Sequence, residues 1–267
     1  MFTLARKIDF SYKTNKWITI ASLIVAVLGG VITGSVKSGL YIGLGTFLTW
    51  AIAREVDPKH EYAAFFAAGI SLVNLFYFQK IEILNIFYIL LFLRLVNGIT
   101  GKKASLLDIF IVFVLGLVLT LDKKNSIYLI PFISGVMSIK RIEGKNKIIQ
   151  GILIISSLIF LVESLAYGYF GFKEIDFSNI MNISIVVASF IFIIWNNFIG
   201  IEGTLDDKGE PVNDKKIRSS QMLYGSTILL FFLFADISLN NLIIYFSVML
   251  GIIIYSLVGG KLEEKFK

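Results

Sequence analysis

Apolar runs of 14 to 21 residues recur along the chain, separated by short polar segments. Ten of them read as membrane spans: Trp17–Gly34, Gly39–Ala53, Glu61–Phe78, Ile83–Gly98, Leu106–Leu121, Ser126–Ile139, Ile148–Gly168, Asn182–Gly200, Met222–Ala235 and Leu239–Val258. Runs of that length suit helices crossing a hydrocarbon core about 30 Å thick. Few windows show the sustained alternation of a membrane barrel. The second, sixth and ninth runs are short for a perpendicular crossing and must recruit flanking residues or be re-entrant. The pattern predicts an all-α, polytopic helical bundle forming one transmembrane domain.

Composition agrees. The chain is 56% hydrophobic and 16% charged, with a mean hydropathy of +0.80. Ordinary globular domains carry about 25% charged residues, so a soluble fold of this length would lack the polar groups to cover its core. The N-terminus has cations before the first apolar run but no small-residue cleavage site, which reads as an uncleaved first span. Phe2, Ala5, Ile8 and Tyr12 share one helical face and suggest a short interfacial helix there. An Ile-, Lys- and Asn-rich composition suits an A·T-rich prokaryotic genome, and so a cell membrane.

Charge then orients the bundle. With the N-terminus inside and ten alternating spans, nineteen Lys and Arg residues fall on the cytoplasmic side. Only Lys37, Lys80, Lys123, Lys124 and Lys173 fall outside, and Arg94 lies near the inner end of the fourth span. That bias is the positive-inside signature and places both termini in the cytoplasm. Trp17, Trp50 and Trp195 all fall at inner span ends, where amphipathic rings anchor. The same scatter of small basic groups accounts for the net charge of +6 without a nucleic-acid surface. The absence of cysteine excludes thiol chemistry, and a single histidine, His60, excludes paired-histidine metal sites.

Candidate chemistry gathers on the inner side. The stretch Ile201–Ser220 holds five acidic and four basic residues between two apolar runs. Asp207-Lys208-Gly209-Glu210 has the composition of a tight turn, and Asn213 can cap a helix starting at Asp214. Glu202, Asp206, Asp207, Glu210 and Asp214 offer hard oxygen ligands for Mg²⁺, with Glu202, Asp206 and Asp207 the foremost. Mg²⁺ commonly takes one or two carboxylates and completes its shell with substrate phosphate, which the basic residues beside them could meet. The spacing matches neither an EF-hand loop nor the aspartate-rich signatures of membrane prenyltransferases and CDP-alcohol phosphotransferases.

Three even-numbered spans also end in a cation followed three residues later by an acid or amide: Arg54 and Asp57, Arg94 and Asn97, Lys140 and Glu143. Positions three apart share a helix face. Such pairs could ring a cytoplasm-facing site, or simply reflect cations gathered at helix C-termini. Arg94 lies about a turn inside its span, where a guanidinium must snorkel, pair or face water. Deeper in, Asn74 lies on a stripe with Ala67 and Ser71 that either packs helices or lines a cavity. Pro131 in the short sixth span suggests a hinge of the kind found in discontinuous transporter helices.

Three functions remain open. The leading one is a permease for a small molecule or lipid, with Arg54, Asn74, Arg94 and Asn97 around the substrate and Pro131 as the hinge. The second is a membrane enzyme acting on a lipid phosphate, with Mg²⁺ on Glu202, Asp206 or Asp207 and the phosphate met by Arg54, Arg94 or Arg218. The third is a non-catalytic membrane subunit. The enzyme requires the polar stretch to fold back over the bundle so that Glu202, Asp206 and Asp207 converge with Arg54 or Arg94. The permease requires a polar cavity reaching the midplane near Asn74 and Pro131.

Overall fold

The computed structural model describes residues 3–6, 8–144, 146–175 and 178–266. Among them the chain is all-helical, with ten α-helices, two short 3-10 turns and no strand beyond one isolated bridge. Its contacts divide into two compact units, one of Met1–Ala5 and Leu91–Asp236, the other of Arg6–Leu90 and Ile237–Lys267. We refer to these as the central and the terminal unit. Lys7, Lys145 and Lys267, three of the expected inner cations, lie outside the described residues, and the side chains at 261 and 265 are not described either.

The terminal unit contains α1 (Lys13–Thr33), α2 (Val36–Val56), α3 (Ala63–Ser71), the first half of α4 (Ile83–Asn97) and α10 (Leu239–Phe266). Helices α1 and α2 form a hairpin. Gly34 closes α1 in the left-handed region (φ 65°), and the Ser35 hydroxyl accepts from Ser38 N–H to start α2. The two helices then run almost backbone to backbone. A Cβ at Gly39 would collide with the Gly30 backbone and the Ala26 carbonyl, and one at Gly43 would sit 2.6 Å from Ala26 Cβ. Small residues are what permit that approach. In the same way Gly251 of α10 lies against the backbone of Ala67 on α3, so the small stripe of α3 is a packing face.

The central unit holds the second half of α4, α5 (Leu106–Lys123), α6 (Leu129–Glu143), α7 (Lys147–Ala166), α8 (Ile180–Trp195) and α9 (Asp214–Phe234). Its core is aromatic: Phe113 meets Phe132 at 5.3 Å, Tyr128 meets Phe231 at 4.8 Å, and Phe192 meets Tyr224 at 5.9 Å. Gly135 lets α6 sit on Phe92 of α4, and Gly225 lets α9 sit on Ile193 of α8. Asp108 caps α5 in a reciprocal box with Ser105. Its carboxylate also accepts from Thr3 N–H at 2.7 Å and Thr3 Oγ1 at 2.6 Å. Asp108 is fully buried by these donors, not hydrated at an interface as its place near a span end suggests.

Four helices are long and apolar enough to cross a membrane: Lys13–Thr33, Lys147–Ala166, Asp214–Phe234 and Leu239–Gly259. In α7 the best window has a hydropathy of 2.2 yet is only 17% buried. Ile154, Ile155, Leu158, Val162 and Leu165 face outward. So large an apolar face is stable against lipid and costly against water. These helices are what a membrane protein requires.

Several boundaries differ from the sequence reading. The short runs 39–53 and 222–235 grow into α2 and α9, 21 residues each, because flanking polar residues continue the helix. A 21-residue helix is about 31 Å long. The third run instead breaks at Ser71 into the 3-10 turn Leu72–Leu75. The N-terminal interfacial helix is absent among the described residues, which are irregular up to α1; Phe2 lies outside them. Trp50 is no interfacial anchor: it is buried between Phe47 at 5.8 Å and Phe65 at 6.4 Å.

The close approach of α1 and α2 gives a direct test. Gly39→Val should destabilise the protein by about 1–3 kcal/mol through overpacking. Gly69→Ala in α3, where a Cβ meets nothing, should be neutral or stabilise by up to about 1 kcal/mol. Thermal unfolding in detergent would separate the two, and equal effects would show that the backbone contact is not tight.

Candidate functional site

The polar stretch between α8 and α9 is an ordered hairpin. Val212 N–H donates to Thr204 O at 2.9 Å and Asp206 N–H to Glu210 O at 2.8 Å, around an antiparallel bridge of Leu205 and Pro211. The turn spans Asp206–Gly209, one residue earlier than its composition suggests. Gly209 supplies the positive φ of 81°, and its N–H donates to Asp206 O at 3.0 Å. Asp206 Oδ1 accepts from Lys208 N–H at 2.8 Å and Glu210 N–H at 2.9 Å, the side chain standing in for a turn carbonyl.

The hairpin folds back onto the end of α4. Asp207 N–H donates to Ile99 O at 3.0 Å. Gly98 and Gly101 both take positive φ in this exit loop (68° and 65°). A Cβ at Gly101 would come within 2.7 Å of Asp206 Oδ2. Asn97 is buried and its Oδ1 accepts from Ile99 N–H at 3.1 Å, bending the chain out of the helix. Lys216 of α9 lies over Gly98 and pairs with Glu143 at the end of α6. One end of the central unit thus joins the exit of α4, the hairpin, the last turn of α6 and the first turn of α9.

Beside that junction is an open cleft of about 620 Å³. The last turn of α6 contributes Arg141 and Ile142, and the start of the hairpin Ile201 and Glu202. Asn213, Asp214, Lys215, Arg218 and Ser219 come from the beginning of α9. Asn213 caps α9 as expected, its Oδ1 accepting from Lys215 N–H at 2.9 Å. Arg218 is held in place: Nη2 donates to Ile199 O at 2.7 Å, and Nη1 reaches Gln221 Oε1 at 3.4 Å. Arg141 and Lys215 are exposed. Three cations beside a helix N-terminus make an environment for a negatively charged group. Glu202 and Asp214 put two carboxylates on the same rim.

The residues singled out from the sequence are distributed as follows. Glu202 lines the cleft, whereas Asp206 builds the turn and Asp207 docks it. Among the described residues, no three acidic, histidine or cysteine side chains gather as a metal cage. Arg94 is half-buried in the central unit and donates to Leu4 O at 3.1 Å. In the terminal unit, Arg54 pairs with Glu61 at 3.1 Å, and His60 Nδ1 lies 3.0 Å from both oxygens of the buried Asp57. Asn74 belongs to an amide network. Its Oδ1 accepts from Asn240 Nδ2 at 2.7 Å, and Asn240 Oδ1 accepts from Gln79 and Lys80 N–H. Pro131 is the third residue of α6, where the 3-10 turn Ser126–Tyr128 passes into the helix and a missing N–H costs least.

Of the cleft residues, Glu202, Asp214, Lys215 and Arg218 stand together in the polar stretch of the sequence, whereas Arg141 comes from the end of the sixth span and no sequence signal joins it to them. Nothing local pairs two helix ends 73 residues apart, as the Lys216–Glu143 ion pair does.

The hairpin depends on one carboxylate. Asp206→Ala should speed trypsin cleavage after Lys208 several-fold, while Asp206→Asn, which keeps the accepting oxygen, should resemble the unsubstituted protein. Equal cleavage of all three would show that the turn does not rest on Asp206.

No protein-family model, curated protein or solved structure matches this chain. Its functional reading therefore stands on its own residues.

Proposed function

We propose that this is a multi-pass protein of the cell membrane, with ten crossings and cytoplasmic termini, that engages a phosphate-bearing substrate on its cytoplasmic face. The observation that carries the reading is the folded hairpin. It turns back onto the α4 exit and leaves Arg141, Lys215 and Arg218 around one cleft. A loop that returns onto the bundle supports a membrane enzyme working on a phosphate, although Glu202 shares the cleft with Arg141, Lys215 and Arg218 and not with the expected Arg54 or Arg94. Asn74 and Pro131, the residues expected to mark a midplane transport site, are a bonded amide and a buried first-turn proline. Arg218 can offer a forked donor to phosphate oxygens. Glu202 and Asp214 are the carboxylates in reach of the same space, and one or two suffice for Mg²⁺ when substrate phosphate completes its shell. Asp206 and Asp207 then act on the metal only indirectly, by shaping the loop that presents Glu202. Asn97 contributes by setting the α4 exit on which the hairpin rests, while Arg94 ties the N-terminal segment to α4 through the Leu4 carbonyl.

The orientation is directly measurable, since the chain has no cysteine of its own. Lys208→Cys should react with a membrane-impermeant maleimide only from the cytoplasmic side, and Lys173→Cys only from outside. Labelling of both from one side would refute the ten-crossing topology.

Binding can be followed by thermal shift of the purified protein with inorganic phosphate and glycerol 3-phosphate, each with and without Mg²⁺. A stabilisation that Mg²⁺ strengthens, and that Arg141→Gln with Lys215→Gln reduces at least tenfold in affinity, is the expected result. No response to any phosphate compound would remove the proposed site.

A further inference from the structure

The cleft stands at the level where the chain leaves its lipid-facing surface. Ile194 of α8 is 59% exposed and Phe198 is 76% exposed, with Trp195 and Phe198 rings 6.3 Å apart. Aromatic rings at a span end mark the boundary between hydrocarbon and headgroups. The chain then turns inward, and Ile199 and Ile201 are buried at 3% and 2%. Phe198 and the cleft residue Ile201 are three residues apart, at most about 11 Å of extended chain. Arg218 makes the tie direct, because its guanidinium holds the carbonyl of Ile199, next to Phe198. The headgroup layer is itself several ångströms deep on each side of the core. A cation at this height meets lipid phosphate before it meets bulk cytosol.

The wall of the cleft has two characters. Arg141, Lys215 and Arg218 supply charge, while Ile142 supplies a half-buried apolar surface beside them. A small phosphorylated metabolite has no use for that surface. A lipid does: its phosphate meets the cations while its first methylenes leave over Ile142 toward the bilayer.

On this basis, and resting on the phosphate-site reading above, we propose that the cleft binds an anionic membrane lipid with a phosphate headgroup rather than a water-soluble phosphate. The full chain in neutral phosphatidylcholine nanodiscs or detergent would be titrated with four probes: inorganic phosphate, glycerol 3-phosphate, dioctanoyl phosphatidate and dioctanoylglycerol. Affinities would be read by thermal shift and native mass spectrometry. Phosphatidate is expected to bind at least tenfold more tightly than glycerol 3-phosphate. Combined Arg141→Gln and Lys215→Gln should weaken all three phosphate ligands. Ile142→Asn, at a half-exposed position where folding tolerates it, should weaken phosphatidate alone.

Equal affinity for phosphatidate and glycerol 3-phosphate would overturn the lipid assignment and leave the phosphate site standing. Binding of dioctanoylglycerol as tight as phosphatidate would show apolar adsorption without headgroup recognition and overturn the assignment too. No response to any phosphate compound would overturn both it and the reading beneath it.

Discussion

An exterior of isoleucine, leucine, valine and phenylalanine leaves a chain two places for polar groups: helix ends and the interior. Lipid satisfies no hydrogen bond, so a donor or acceptor left on the apolar faces of α1 or α7 would cost several kcal/mol. The structure follows from that constraint. Asn240 donates to Asn74 and to the Tyr77 carbonyl, and its neighbour Asn241 bonds both the N–H and the carbonyl of Glu82. Asp108 is buried, yet four donors from Ser105 and Thr3 surround its carboxylate. Asp206 does in an exposed turn what Asp108 does at a buried helix start. In each case a side chain accepts where the backbone offers no partner.

The same constraint explains what was legible in the sequence. Local devices could be read: Asn213 as the cap of α9, Gly209 as the residue that lets the loop turn, Gly39 and Gly43 as a close-packing face. Their causes lie within a few residues. Helix extent is less legible, because apolar length understates helix length where polar residues continue the turn. The run Gly39–Ala53 lies inside the longer α2, whose ends carry Lys37, Arg54 and Glu55. What could not be read is the partner of a buried polar group. Asn240 and Asn74 are 166 positions apart, and Thr3 and Asp108 are 105. Nothing in either segment announces the other. Trp50 failed for a related reason: an amphipathic ring near a span end anchors only if it faces outward, and its facing is settled by Phe47 and Phe65.

The repeated cation-then-acid pattern at inner span ends shows the limit of helical spacing as an argument. Arg54 pairs with Glu61 and Asp57 with His60, while Glu143 takes Lys216 of α9. Three similar tripeptide spacings thus end in different partnerships. Positions three apart share a face, but the chain leaves the helix at these places, and the loop beyond supplies better geometry than the neighbouring turn. The pattern marked where charge collects without stating what the charge would meet.

The hairpin is where those partnerships acquire a chemical sense. A mixed-charge loop in free solution would bind its own ions and present little to a ligand, since exposed pairs contribute at most about 1 kcal/mol. Here the Asp206 carboxylate is committed to the turn, Asp207 docks the loop through its main-chain N–H, and Glu143 is committed to Lys216. Arg141 and Lys215 line the cleft from two different helices, held in register by that neighbouring ion pair. Arg218 is oriented by a carbonyl, a neutral acceptor that leaves its positive charge uncompensated. The cleft thus carries both signs, Glu202 and Asp214 lining it beside Arg141, Lys215 and Arg218. The fold builds it by returning the loop onto Gly98 and Gly101, whose missing side chains give Lys216 and Asp206 room to approach the α4 exit.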